Sequence, residues 1–371
     1  MIKEPGNTEE YLIHLCACAL DGTVPIAKPE NVDWHELLEL AEKHKVVYAA
    51  ESSIEKLKVR PEDECLSKWA DIKNKELVRT VIQTNTLKEL AGKLRERGIR
   101  YMPLKGSVIK GLYPDPGMRY MSDIDVLIDG EKAGEVRDLL TEDGYTCEAF
   151  DVSAHDVYKK YPILNIEIHR SLMPEQRPDL YELYKNGFDH ARASEEDAFL
   201  YEMTLEELYV FVVAHLYKHY SGGGSGIRYL MDIHVLKTAY QNTWDRAVID
   251  DLLIKAGLSE FEDEMSRISD YWFGDGDRED KLQEHMDYIC DSGVYGTMIN
   301  IMDNNIREKS RSRYFLERML PPFKSMTALY PWLKYCPVLL PVCWVMRVIK
   351  ALIVKPKTVA FQFKHILGID K

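Results

Sequence analysis

The sequence predicts an α+β fold, a small mixed-sheet core flanked by mainly helical N-terminal and C-terminal regions. Apolar residues recur at three- and four-residue intervals through residues 1–95 and again from Thr204 onward, the period of an amphipathic helix. Between these regions, short strand-like runs alternate with helical ones, the mark of a compact α/β core. Within that core, Asn165 to His169 alternates polar and apolar residues at the period of a strand. The divisions that follow are 1–95, 96–200 and 201–371.

In the first region, Trp34 to Ala41 and Glu76 to Leu94 carry the helical spacing, with the second helix stopping toward Gly98. The core then opens with a short apolar strand, Ile99 to Leu104. A helix over Gly106 to Tyr113 follows, then a turn-rich Pro114-Asp115-Pro116-Gly117 loop. Asp123 to Ile128 is the second strand, and Glu131 to Glu142 an amphipathic helix stopped at Gly144. Tyr145 to Phe150 and Tyr158 to Ile163 read as further strands, and Asn165 to His169 as an alternating one. In the last region, helices over Glu206 to Tyr220 and Arg228 to Tyr240 are separated by the glycine-rich Ser221 to Gly226. A charged loop runs from Gly274 to Asp280.

The 371 residues are too many for one ordinary core, and 46% hydrophobic with 29% charged residues is a globular composition. A formal charge of −13 disfavours nucleic acid as a partner, because backbone binding needs clustered Lys and Arg. Lys324 to Lys371 is the exception: eight basic residues against Asp370 give +7, leaving −20 for the rest of the chain. Seven scattered cysteines without a C-x-x-C pair argue against a zinc ribbon, and with no apolar leader at the N-terminus they suggest a cytoplasmic protein. Cys336 to Val354 has the length of a membrane span, but Arg347 and Lys350 fall inside it and Pro337 and Pro341 interrupt it. The expectation is a buried or surface-lying helix and no transmembrane span, with peripheral contact to anionic lipid left open by the basic surroundings.

The stretch Tyr101 to Asp129 holds the chemistry. Asp123 and Asp125 are two residues apart in a strand, so they share a face with Cα atoms roughly 6.5 Å apart, close enough to converge on a divalent cation. Upstream, the Lys105-Gly106-Ser107 turn opens a helix, an arrangement suited to phosphate oxygens. Lys105 and Arg119 are positive candidates for phosphate, and Arg119 is equally a partner for Asp123 or Asp125. Downstream, Glu167 and His169 share a strand face.

Leu104-Lys105-Gly106-Ser107, Arg119 ahead of Asp123-Ile124-Asp125, and Ile166-Glu167-Ile168-His169 together resemble the polymerase-β-type nucleotidyltransferase superfamily. The nearer likeness is to the bacterial group of uncharacterised nucleotidyltransferase family proteins. Asp123 follows Ser107 by 16 positions, longer than in many members of the superfamily but similar to the nearer group. The resemblance implies that the Tyr113 to Tyr120 insertion is a loop over the nucleotide. It further implies Asp123, Asp125 and Glu167 as metal-binding catalytic carboxylates, a two-Mg²⁺ site, and ATP or another NTP as donor. Lys105, Gly106, Ser107, Arg119 and His169 would lie on the nucleotide side. His215 and His219, four apart on a helix, together with Arg228 and Asp232, are candidates for the acceptor side; packing for the histidines and a helix–helix salt bridge for Asp232 remain open. The histidine pair has zinc-site spacing but no evident third ligand.

Two readings of function follow. The first is a transferase moving an NMP group to an unidentified acceptor, a small molecule or else a protein side chain. The second is a non-catalytic nucleotide-binding regulator that keeps the fold.

Overall fold

Alternation between residues 99 and 169 does build one sheet, and the helical periods on either side build the rest. The structure is a computed structural model describing residues 1–152, 154–175 and 178–367; Asp370 and Lys371, counted in the basic tail, lie outside the described residues. The chain divides into two compact units, Met1–Tyr220 with Gly224–Gly296, and Ser221–Gly223 with Thr297–Lys371.

The first unit begins with α1 (Thr8–Asp21), α2 (Trp34–His44), α3 (Val47–Ile54) and α4 (Asp63–Glu96). Asn7 and Asp33 start α1 and α2 by accepting hydrogen bonds from first-turn amides. The sheet region follows in the order β1 (Tyr101–Pro103), α5 (Gly106–Ile109), β2 (Ile124–Ile128), α6 (Ala133–Glu142), β3 (Thr146–Ala149), β4 (His155–Lys160) and β5 (Leu164–His169). Its spatial order is β1-β2-β5-β4-β3. β2 and β5 are parallel and the other pairs antiparallel, which makes the sheet mixed. After it come α7 (Pro178–Tyr184), the hairpin β6 (Ala191–Ala193) and β7 (Tyr201–Met203), then α8 (Leu205–Gly222), α9 (Ile227–Tyr240), α10 (Arg246–Ala256), α11 (Ser259–Phe273) and α12 (Gln283–Ser292).

Period-two alternation decides what each sheet face does. Ile124, Val126 and Ile128 of β2 join Ile166 and Ile168 of β5 in a core with Val136, Leu139 and Leu140 of α6 and Leu94 of α4. The intervening Asp125 and Glu167 therefore face the other way. A larger core unites α1–α3 with α8, α9 and α11 through residues such as Tyr11, Leu15, Leu37, Val213, Leu230 and Trp272.

Two expectations need correction. The strand expected over Tyr158 to Ile163 is β4, three residues earlier, because its buried positions include the polar Asp156, paired with Arg170, as well as Tyr158. The helix expected over Gly106 to Tyr113 is one α-turn, α5, continued as a 3₁₀ turn from Lys110 to Leu112. The Tyr113 to Tyr120 insertion is packed into the unit at both ends. Tyr48 donates from its hydroxyl to Asp115 at 2.8 Å, Tyr113 and Met118 are buried, and a Cβ on Gly117 would meet the Tyr48 ring at 2.4 Å.

The second unit holds α13 (Met298–Lys309), α14 (Arg311–Met319), α15 (Phe323–Leu329), α16 (Leu340–Val354) and α17 (Pro356–Leu367). Pro337–Val354 is long and apolar enough to cross a membrane, with mean hydropathy 2.0 over 18 residues. Of that window 6% is buried, which overturns the buried alternative for this helix.

Candidate active site

Strand register assembles an acidic wall. Asp125 stands opposite Glu167 across β2 and β5, and His155 opposite His169 across β4 and β5. Asp123, one residue ahead of β2, lines with Asp125, Glu167 and His155 a cleft of about 250 Å³. One oxygen of Asp125 accepts from Lys105 Nζ at 2.8 Å and lies 2.7 Å from His169 Nε2. Burial opposes its ionisation, but Lys105 and His169 outweigh that and hold the carboxyl well below the usual range. Its neighbours go the other way. Burial and then the charge of Asp125 push Asp123 up, and burial followed by Asp123 and Asp125 lifts Glu167 to about 7. Glu167 also has His155 Nε2 at 3.4 Å and His169 Nε2 at 3.9 Å, and each of the three offers a ligand atom within 4.8 Å of the others.

Lys105 and Gly106 line the same cleft. Gly106 is required by close approach: a Cβ there would stand 2.7 Å from Met121 Cγ. Ser107, expected on the nucleotide side, lines a neighbouring cleft of about 440 Å³, and its buried hydroxyl meets no partner among the described residues. Arg119 lines the Asp123–Asp125 cleft but pairs with neither aspartate. Its Nε lies 2.6 Å from Asp232, whose same oxygen accepts from the Tyr113 hydroxyl at 2.8 Å. Asp232 is buried and does not line the cleft, and it forms a salt bridge, though to the insertion rather than to a second helix. Arg119 and Arg228 both donate to the Tyr120 carbonyl, at 2.6 and 2.7 Å, tying the insertion to α9.

The opposite wall comes from α8 and α9: His215, Lys218, His219, Arg228 and Tyr229. His215 and His219 approach each other at 3.2 Å between Nε2 atoms. Burial, then the charge of Lys218, holds His215 well below its ordinary value and brings His219 to about 3, so both rings are neutral. No third ligand joins them among the described residues; the cluster with metal-ligand spacing there is His155, Glu167 and His169. Burial and then Lys105 lower Lys218 to about 8. The start of α9 is fixed by His44, which accepts from the Ile227 amide at 3.1 Å and bonds the Cys290 carbonyl at 3.0 Å. Gly226 makes room for it, since a Cβ would lie 2.9 Å from His44 Nδ1.

Sequence reasoning missed His155 and Lys218. A strand placed three residues earlier would have included His155, which stands opposite His169 with its Nε2 3.4 Å from Glu167. Lys218 sits three residues after His215, on the helix face already singled out for the two histidines.

No curated protein matches the chain. Among solved structures it is similar to the antibiotic-resistance factor ANT(2'')-Ia, at 12% identity and TM-score 0.36, covering 50% of this chain and 97% of that one. It is similar also to an antigenic nucleotidyltransferase-like protein from Paracoccidioides brasiliensis, at 15% identity and TM-score 0.30, covering 50% and 92%. Residues 30–274, more than half of the chain and the whole of the cleft's strand and α8–α9 walls, match the family described as uncharacterised nucleotidyltransferase, and the chain belongs to that family.

Proposed function

We propose that the chain is a Mg²⁺-dependent nucleotidyltransferase that moves an NMP group from an NTP to an acceptor, a small molecule in first place and a protein side chain in second, releasing pyrophosphate. The observation that carries the reading is the convergence of Asp123, Asp125 and Glu167 on one cleft whose far wall supplies Lys218 and Arg228. The donor set fits the ion: Mg²⁺ prefers carboxylate oxygens, and the burial of Glu167 beside Asp123 and Asp125, which raises it, is what a bound cation offsets. Asp123, Asp125 and Glu167 would hold it, and the chemistry it supplies when bound is Lewis-acid polarisation of phosphate.

The acceptor oxygen attacks the α-phosphorus, the bond from that phosphorus to the bridging oxygen breaks, and pyrophosphate leaves with the bond electrons. On this reading Glu167, raised to about 7 in the ion-free protein, either holds the ion next to the acceptor hydroxyl or takes its proton. Lys105 keeps Asp125 ionised and aimed into the cleft. Lys218 and Arg228 meet the negative charge of the triphosphate from the helical side.

A thermal-shift screen of the four NTPs with and without Mg²⁺, followed by mass spectrometry for NMP-modified products in cell extract, tests this. The expected result is Mg²⁺-dependent stabilisation and a product carrying one added NMP. Binding that ignores Mg²⁺ and survives Asp123→Ala with Asp125→Ala contradicts it, and Mg²⁺-dependent binding without any product leaves the regulatory alternative.

A further inference from the structure

We infer that the second unit carries a docking surface for an anionic lipid bilayer, formed by the outward face of α16 and the basic residues along its border. The six residues Val342, Val345, Met346, Ile349, Leu352 and Ile353 recur at helical spacing, and all are exposed, from 45% at Met346 to 74% at Ile353. This orientation is fixed from the other side. Cys343 is buried with Met326 and Leu333, Leu340 and Trp344 pack against them, and the Trp344 indole donates to the Pro321 carbonyl at 2.9 Å. The Arg347 guanidinium donates to the Arg318 carbonyl. With its inner face engaged, the helix turns a continuous apolar stripe outward, the reverse of a solvated helix.

Charge identifies what covers the stripe. Residues 324–367 contain no Asp or Glu, while Lys350 borders the stripe, Lys355 and Lys357 follow its end, and Lys364 lies on α17 beside the exposed Phe361. The complement is therefore apolar in its interior and negative at its surface, as a bilayer with acidic headgroups is. A second copy of this face would bring like charges together. Geometry also distinguishes lying from crossing. The 15 residues of α16 cover about 22 Å at 1.5 Å per residue, and only with the preceding 3₁₀ turn, Pro337–Leu339, does the run reach the length of a span. Arg347 and Lys350 fall within it, and it is followed directly by Lys355 and a new helix. In the plane of the interface Lys350 and Lys355 reach headgroups while the stripe enters the acyl boundary, and Arg347 stays on the inner side.

Flotation of the full chain with phosphatidylcholine vesicles, with and without phosphatidylglycerol, tests the inference. The expected result is flotation at low salt with the anionic vesicles alone and release at high salt. Val345→Asp with Ile349→Asp abolishes it while leaving thermal unfolding and Mg²⁺–nucleotide stabilisation unchanged, and Lys350→Gln lowers the partition coefficient about fivefold. Failure to float with anionic vesicles at low salt overturns the inference. So does equal flotation with neutral vesicles that resists salt and alkaline carbonate, the behaviour of a span. A dimer in sedimentation that the double Asp variant dissolves, without vesicle binding by the wild type, overturns it in favour of a second copy.

Discussion

The two walls of the candidate active site are opposites in charge and in how they were built. The strand wall pairs Asp125 with Glu167 by register and adds Asp123 from the residue before β2, with Asp125 held ionised while Asp123 and Glu167 resist ionisation. The helical wall gathers Lys218 and Arg228 with two neutral histidines, through the packing of α8 and α9. Acidic groups predominate on one wall, where Lys105 is already engaged by Asp125, and basic groups on the other. A triphosphate with its metal ion satisfies both at once, which neither a free cation nor a free anion does.

Removing a strand-wall charge is the strongest way to break this contrast. Asp123→Asn, which disturbs no buried ion pair, is expected to lower NMP transfer on the order of a thousandfold with the circular dichroism spectrum unchanged. Retention of a large fraction of wild-type turnover would remove the strand wall from the chemistry.

A second change separates holding a wall in place from acting on it. Asp232→Ala leaves the Arg119 guanidinium buried without its carboxylate and is expected to destabilise the fold by about 3–5 kcal/mol in urea unfolding. Wild-type stability with lost transfer would instead make Asp232 a residue of the reaction.

The smallest effect belongs to the helical wall. Lys218→Gln is expected to weaken NTP binding about tenfold at neutral pH, the worth of one charge-assisted hydrogen bond. The ammonium holds phosphate only while protonated, and in the free protein it loses its proton near pH 8. Wild-type affinity measured by calorimetry therefore falls as pH rises through 8, and the variant lacks that decline.

The strand wall was largely legible because a strand converts sequence spacing directly into a shared face: Asp123 with Asp125, and Glu167 with His169. Its missing member, His155, lies in His155-Asp156-Val157-Tyr158, where an inward aspartate hides the apolar alternation. The helical wall was legible only in part. His215, His219 and Arg228 were candidates, but which neighbour of a helical residue faces a cleft depends on packing partners far away in sequence, as Lys218 and the pinning of α9 by His44 show. Long-range pairing also explains why Asp232, 113 residues away, was not among the partners the sequence offered Arg119. In the second unit the apolar-basic composition of α16 could be read directly, whereas its outward orientation could not, because it depends on Met326 and Leu333 taking the inner side.

The insertion from Tyr113 to Tyr120, clamped through Tyr48, Asp232 and Arg228, bears on rates as well as on shape. A segment already ordered carries no ordering entropy into the encounter with a nucleotide. On the proposed reaction, association is then expected to proceed without a slow ordering of this segment after contact. Differences in affinity among nucleotides fall to how long each stays.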